Sequence, residues 1–140
     1  MKRLFAAFAA MCALLFSLSA PAADLDDPDL DPALRLTAMA IGSDIRADDP
    51  RVARTRDWLS RAMKATGETD GKAIGAACMR LSRYLFDVAK LKASPLEVLE
   101  AVAMRAPAGK PLQETTQRYF ELRAKRKLDH AGAMAALAGS

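Results

Sequence analysis

Three short motifs in this chain each join a side chain that caps a helix to a proline that begins one. Asp31-Pro32, Asp49-Pro50 and Ser94-Pro95 place an oxygen acceptor at the N-cap and proline at the first helical position, where its missing N–H needs no partner. In the third motif, Glu97 can accept from the backbone N–H of Ser94 and complete a capping box. Such frequent helix starts predict a chain of several short helices.

Helix stops fall between these starts: Gly42 or the turn at 47–49, then Gly67, and later the segment 106–111, which holds two prolines and a glycine. The combined signals predict helices at about residues 32–46, 50–65, 70–92, 95–105 and 111–127, with a short one near 130–137. No segment alternates between apolar and polar residues over a useful length, so strands are not expected. The predicted fold class is all-α, a small bundle of about five helices plus a short C-terminal helix.

The predicted helix at 70–92 has the features of the central element of this bundle. Apolar residues recur along it at steps of four and three and form one face, namely Ile74, Cys78, Leu81, Leu85 and Val88. The helices on either side carry apolar faces of their own that can cover it. We therefore expect this face to be buried.

Met79 and Phe86 lie about 100° around the helix from that face. A helix that is apolar over so much of its circumference is either surrounded by neighbours or docks a partner. Trp58, in the preceding helix, joins them as a third candidate binding residue if it is exposed. For Met79 and Phe86 a second core layer is the favoured alternative, since central helices of small bundles are often apolar nearly all round.

Residues 1–22 have the three regions of a cleavable secretory signal peptide. Lys2 and Arg3 begin it, an uncharged apolar run follows, and Ala20-Pro21-Ala22 places alanine at the positions that signal peptidase recognises. The run is shorter and richer in alanine than a spanning helix, which needs ~20 strongly apolar residues. The pattern predicts export by a cleaved Sec signal, Ala23 as the first mature residue, and a Gram-negative periplasm as the compartment.

The predicted organisation is a signal peptide at 1–22, an acidic Asp/Pro-rich lead-in at 23–31 and a single helical domain at 32–140. Without residues 1–22, 19 of the 21 basic residues remain against 17 acidic ones. Residues 23–50 carry eight Asp and two Arg, whereas residues 51–140 carry 17 basic and nine acidic residues. We expect the acidic segment to lie across the basic helices, with the lead-in either flexible or loosely docked. No nucleic-acid partner is expected, because the basic residues are interleaved with acids in an exported chain.

The cysteine content excludes a disulfide framework within the exported form. Cys12 is removed with the signal, which leaves Cys78 alone. Because Cys78 falls on the apolar face of its helix, a packing role is favoured over a nucleophilic one.

Two motifs resemble ion or phosphate sites but are incomplete. Residues 67–72 have only three residues between the two glycines of a phosphate-binding loop, and Ala73 stands where Ser or Thr should meet magnesium. Asp27, Asp29 and Asp31 have calcium-loop spacing, but Pro32 occupies the glycine position. We expect no metal and no cofactor.

The remaining polar candidates also have structural explanations. His130, the only histidine, has no second ligand or nucleophile beside it in sequence and is expected at the surface or as a cap. Arg123 and the three basic residues at 125–127 are expected to stabilise the end of their helix. Peripheral contact with anionic membrane is disfavoured, because the helix lacks a large apolar face.

The sequence is compatible with three classes of function. A non-enzymatic binding or accessory module of the envelope is favoured, with a protein partner or a homo-oligomer. A toxin-neutralising role belongs to this class. A small cell-wall or lipid-active enzyme is the second class, and requires two acids, or an acid and His130, to meet in a cleft. A carrier of an apolar small ligand is the third, and requires an apolar cavity between helices.

The exported form is expected to begin at Ala23. The intact mass of protein recovered from the periplasm should correspond to residues 23–140. A species that retains residues 1–22 in the membrane fraction would contradict the prediction of a cleaved signal.

Overall fold

The computed structural model describes residues 23–42 and 44–139, so the predicted signal peptide lies outside the described residues. The described helices are Pro32–Ile41 (α1), Pro50–Thr66 (α2), Gly71–Ala89 (α3), Pro95–Arg105 (α4), Leu112–Phe120 (α5), its π-helical continuation Glu121–Lys125, and His130–Ala138 (α6). Strands are absent from this part of the chain, which confirms the predicted all-α class. Within the same ranges, no helix combines the length and apolarity needed to cross a membrane.

The predicted capping residues begin their helices. Asp31 accepts from the backbone N–H of Ala33 at 3.0 Å, and the Glu97 carboxylate accepts from the N–H of Ser94 at 2.8 Å to complete the capping box. Helix α1 ends five residues before the predicted boundary, because Gly42 takes a left-handed conformation with φ of 69°. The helix starts therefore follow local chemistry, whereas the ends are less well predicted.

Helix α4, rather than the helix predicted at 70–92, has the most central position, since it packs against each of the other described α-helices. Its inward residues Val98, Leu99, Ala101 and Val102 are fully buried. Helix α3 contacts α1, α2, α4 and α5, but it has one open side.

The apolar face predicted for α3 is buried over most of its length. Ile74, Cys78 and Leu85 are fully buried, whereas Leu81 is half-buried. The prediction of burial is wrong for Val88, which is 56% exposed. The periodicity correctly assigns a face, but at the last turn of α3 no described helix covers that face.

The acidic lead-in contacts basic side chains of α1, α2 and α3. Arg35 and Lys72 donate to the backbone carbonyls of Asp27 and Pro28, and the Arg56 guanidinium lies 2.6 Å from the Asp31 carboxylate. Two of these three contacts use carbonyl oxygens rather than acidic side chains. The lead-in is therefore placed by its backbone as much as by its charge.

Cys78 is expected to react with a thiol reagent slowly in the native protein and rapidly after unfolding. Its side chain is fully buried, and burial raises the pKa of the thiol to about 12, so the reactive thiolate is scarce. The time course of modification by a maleimide, with and without denaturant, measures both rates. Equal rates in the two states would remove Cys78 from the core.

Candidate functional site

A groove lies between α1 and the open side of α3. Helix α1 lines it at the i, i+3, i+4 and i+7 positions of one face, and α3 lines it from Lys72 to Asp87. The α1–α3 groove encloses about 470 Å³. Its apolar lining includes Leu36, Met39 and Met79. Two helices thus present partly apolar faces to each other across open space.

A second hollow of about 700 Å³ adjoins this groove near the beginning of α4. The two are continuous because Met39, Met79 and Arg83 line both. The second hollow is also lined by Phe86, whose side chain is 49% exposed. The combined surface is concave, and large apolar side chains remain in contact with solvent along it.

The structure brings together two of the three candidate binding residues. Met79 is half-buried and Phe86 is exposed, with the Lys90 ammonium 5.9 Å from the Phe86 ring centroid, so a core position is wrong for Phe86. Trp58 is half-buried on α2, packs against the core and does not line either hollow. Phe86 is not in the core because the neighbours of α3 pack against the face that carries Ile74, Cys78 and Leu85, and Phe86 lies off that face.

Basic side chains dominate the charge of the α1–α3 groove. Lys72, Arg80 and Arg83 are exposed along α3, and half-buried Arg35 faces them from α1. Asp87 is the acidic residue of the lining. The groove therefore combines an apolar floor with a positive edge.

Gly75 keeps the floor of the groove open. It lies in the second turn of α3, and a Cβ atom built on it would meet no atom within 4 Å outside its own helix backbone and chain neighbours. A side chain at this position would therefore extend into the groove. This glycine provides a direct way to fill the groove by substitution.

A chain of polar contacts forms a second candidate site, between α4, α5 and α6. The Glu100 carboxylate lies 2.9 Å from Nε2 of His130, and Nδ1 of His130 lies 2.9 Å from the Tyr119 hydroxyl. Arg123 in turn donates to that hydroxyl at 2.6 Å, and its guanidinium lies 3.8 Å from the Glu97 carboxylate. An acid and the histidine therefore do meet, as an enzyme of the second class would require.

The arrangement is better suited to joining helices than to catalysis. Since the Tyr119 hydroxyl accepts from Arg123, its own proton can be donated to Nδ1 of His130, which leaves the Nε2–H to donate to Glu100. Both ring nitrogens are then engaged. Burial raises the pKa of Tyr119 to about 12, so the phenol stays protonated at neutral pH. Neither Glu100 nor His130 lines the two hollows.

Two expectations about this region are corrected. His130, expected at the surface or as a cap, is partly buried between Glu100 and Tyr119, and Asp129 caps α6 instead. Arg123, expected among the exposed cations of a helix end, is buried. The π-helical turn widens the helix at this point, so three successive residues, 122–124, are buried.

The candidate metal motifs of the lead-in have local roles. Asp27 accepts from the backbone N–H of Asp29 at 2.9 Å, and Asp31 caps α1. In the part of the chain that the structure describes, no group of three or more His, Cys, Asp or Glu residues is placed to hold a metal ion.

Comparison with known proteins adds no relative. No family model, no curated protein and no solved structure matches this chain. The function must therefore be inferred from the two sites themselves.

Sequence reasoning missed the basic edge of the groove and the α1 side of its floor. Arg35, Leu36 and Met39 have the helical spacing of one face, which was the available signal. That spacing does not indicate what the face meets, so the groove could not be inferred from it.

Replacing Tyr119 by Phe is expected to lower the free energy of unfolding by ~1–3 kcal/mol, because Arg123 and His130 lose a hydrogen-bonding partner in a buried site. Denaturant unfolding of the purified variant measures the change. Tyr84→Phe is the matched control. This tyrosine is 51% exposed, and removal of its hydroxyl should change the free energy of unfolding by less than ~0.5 kcal/mol. Equal effects of the two substitutions would show that the polar chain does not stabilise the fold.

Proposed function

We propose that this protein is a non-enzymatic binding module of the bacterial envelope, which holds a protein partner in the α1–α3 groove and the hollow beside it. The observation that carries the proposal is the exposure of Phe86 and Met39, at 49% and 45%, along a concave surface. Exposed apolar side chains that cluster in a groove are typical of interaction sites.

The composition of the surface supports a protein partner. Aromatic residues, methionine and arginine are enriched where proteins bind one another. Here Met39, Met79, Phe86 and Arg83 line one continuous surface. Methionine also suits such a role because its unbranched side chain adapts to an irregular partner.

The polar contacts around His130 support an enzymatic function less well than the groove supports a binding function. The histidine nitrogens are engaged by Tyr119 and Glu100, and neither His130 nor Glu100 lines the two hollows. A catalytic histidine needs one nitrogen free to exchange a proton with a substrate.

The envelope location in this proposal depends on the sequence pattern of residues 1–22, which resembles a cleaved signal. Export and partner binding are separate parts of the proposal. The groove residues would serve the same binding role in another compartment.

A carrier of an apolar small ligand is the second candidate. The observation that favours it is the volume of the α1–α3 groove, about 470 Å³, within the ~300–1,000 Å³ typical of small-molecule sites. A protein partner is favoured over an apolar small ligand because the groove is open to solvent and its edge carries exposed cations.

Phe86→Ala is expected to abolish partner capture and leave the fold intact, because an exposed ring contributes little to stability and much to an interface. The variant and the unchanged protein would be used as bait in envelope extract, and thermal denaturation would be measured in parallel. Val88→Ala is the matched control, since Val88 is 56% exposed on the same helix but lines neither hollow.

The control should capture the same protein as the unchanged bait. Capture that is equal for Phe86→Ala and the unchanged protein would reject this surface as the binding site. Capture lost equally with Val88→Ala would point to a general loss of structure rather than to the groove.

A further inference from the structure

The cations of the α1–α3 groove have no carboxylate partners within the described part of the chain. Arg35, Lys72, Arg80 and Arg83 form none of the ion pairs found there. On α2, by contrast, three of the five basic residues each lie 2.6–2.8 Å from an aspartate carboxylate, namely Arg51, Arg56 and Arg61. The groove therefore retains positive charge that its own chain does not neutralise.

Two of these cations already hold peptide oxygens. Arg35 donates to the carbonyl of Asp27, and Lys72 donates to the carbonyl of Pro28, at the end of the groove where the lead-in passes. Arg80 and Arg83, farther along α3, are exposed and make no side-chain hydrogen bond to another described residue. Peptide carbonyl oxygens thus bind the cations at one end of the basic edge. Arg80 and Arg83, at the other end, remain available to a partner.

The length and floor of the groove suit a helix. The face of α3 from Lys72 to Asp87 spans about 22 Å at the α-helical rise, the length of a helix of about 15 residues. Gly75 and Ala76 present little or no side chain on that face, so a partner backbone can approach closely. Leu36, Met39 and Met79 would receive its apolar stripe.

Charge disfavours a second copy of this chain as the occupant. A two-fold dimer through the groove would place the same basic edge of each copy opposite the other, with Asp87 as the acid of each lining. A flat anionic membrane would reach the exposed Arg80 and Arg83 but not the buried Leu36.

We infer that the occupant of the α1–α3 groove is an amphipathic α-helix of a partner protein, whose apolar stripe is flanked by Asp and Glu residues. This inference rests on the proposed function and adds the chemistry of the partner. The apolar stripe lies on the Leu36, Met39 and Met79 floor, and the flanking carboxylates pair with Arg80 and Arg83.

A displayed library of helical peptides tests the inference with a defined probe. Each peptide has about 15 residues, with leucine fixed at i, i+3, i+4 and i+7 and the flanking positions varied among Glu, Lys, Gln and Ala. Selection on the purified protein should enrich peptides with Glu at the flanks. Their affinity should fall as salt is raised, since exposed ion pairs are screened.

Variants of the groove identify where the selected peptides bind. Gly75→Leu fills the floor and should abolish binding, whereas the double variant Arg80→Glu with Arg83→Glu should weaken it by about tenfold or more. The double variant Arg54→Glu with Lys64→Glu, at exposed positions on α2 outside both hollows, makes the same change in net charge and should leave affinity unchanged. The double variant of Arg80 and Arg83 changes exposed side chains, so it keeps the test valid if Gly75→Leu does not fold.

The outcomes separate this inference from the proposed function. Selected peptides with basic or neutral flanks that still lose binding in Gly75→Leu would overturn the acidic helix and leave the groove as a binding site. The absence of any groove-dependent peptide would overturn the inference. Oleate binding that depends on Arg80 and Arg83, with no peptide selected, would also overturn the inference and would indicate a small ligand instead of a protein partner. A dimer that is lost in Gly75→Leu would overturn it as well and would indicate a second copy of this chain as the occupant.

Discussion

The burial of α4 is the constraint on which the rest of this structure depends. The described chain has a single, unpaired cysteine, so no disulfide holds its helices together. Val98, Leu99 and Val102 are fully buried, and each such side chain contributes about 1.5–3 kcal/mol relative to exposure. Because α4 contacts each of the other described α-helices, its apolar surface determines where they can lie.

The groove follows from how α1 and α3 satisfy that constraint. Helix α3 turns Ile74, Cys78 and Leu85 inward, which leaves its opposite side without a neighbour. Helix α1 buries Leu34 and Thr37 but presents Met39 to the same open space. Two helices that each bury one face thus leave an apolar and basic hollow between their other faces, and this is the surface we propose as the binding site.

The C-terminal part is held by polar contacts rather than by apolar burial alone. The π-helical turn after α5 places Arg123 inside, where it donates to Tyr119. His130 then links this hydroxyl to Glu100 of α4, so α6 is joined to the central helix through hydrogen bonds. A histidine and a carboxylate at 2.9 Å can therefore serve the architecture of a bundle without forming a catalytic pair.

The sequence by itself determined the all-α class, the helix starts at Asp31, Asp49 and Ser94, and the burial of Cys78. Each of these follows from residues within a turn or two of one another, where capping and periodicity act. Only the tertiary structure decided that Phe86 is exposed, that Met39 and Met79 share a groove, and that His130 meets Glu100. These residues are far apart in sequence, and their meeting depends on the packing of whole helices, which no local signal specifies.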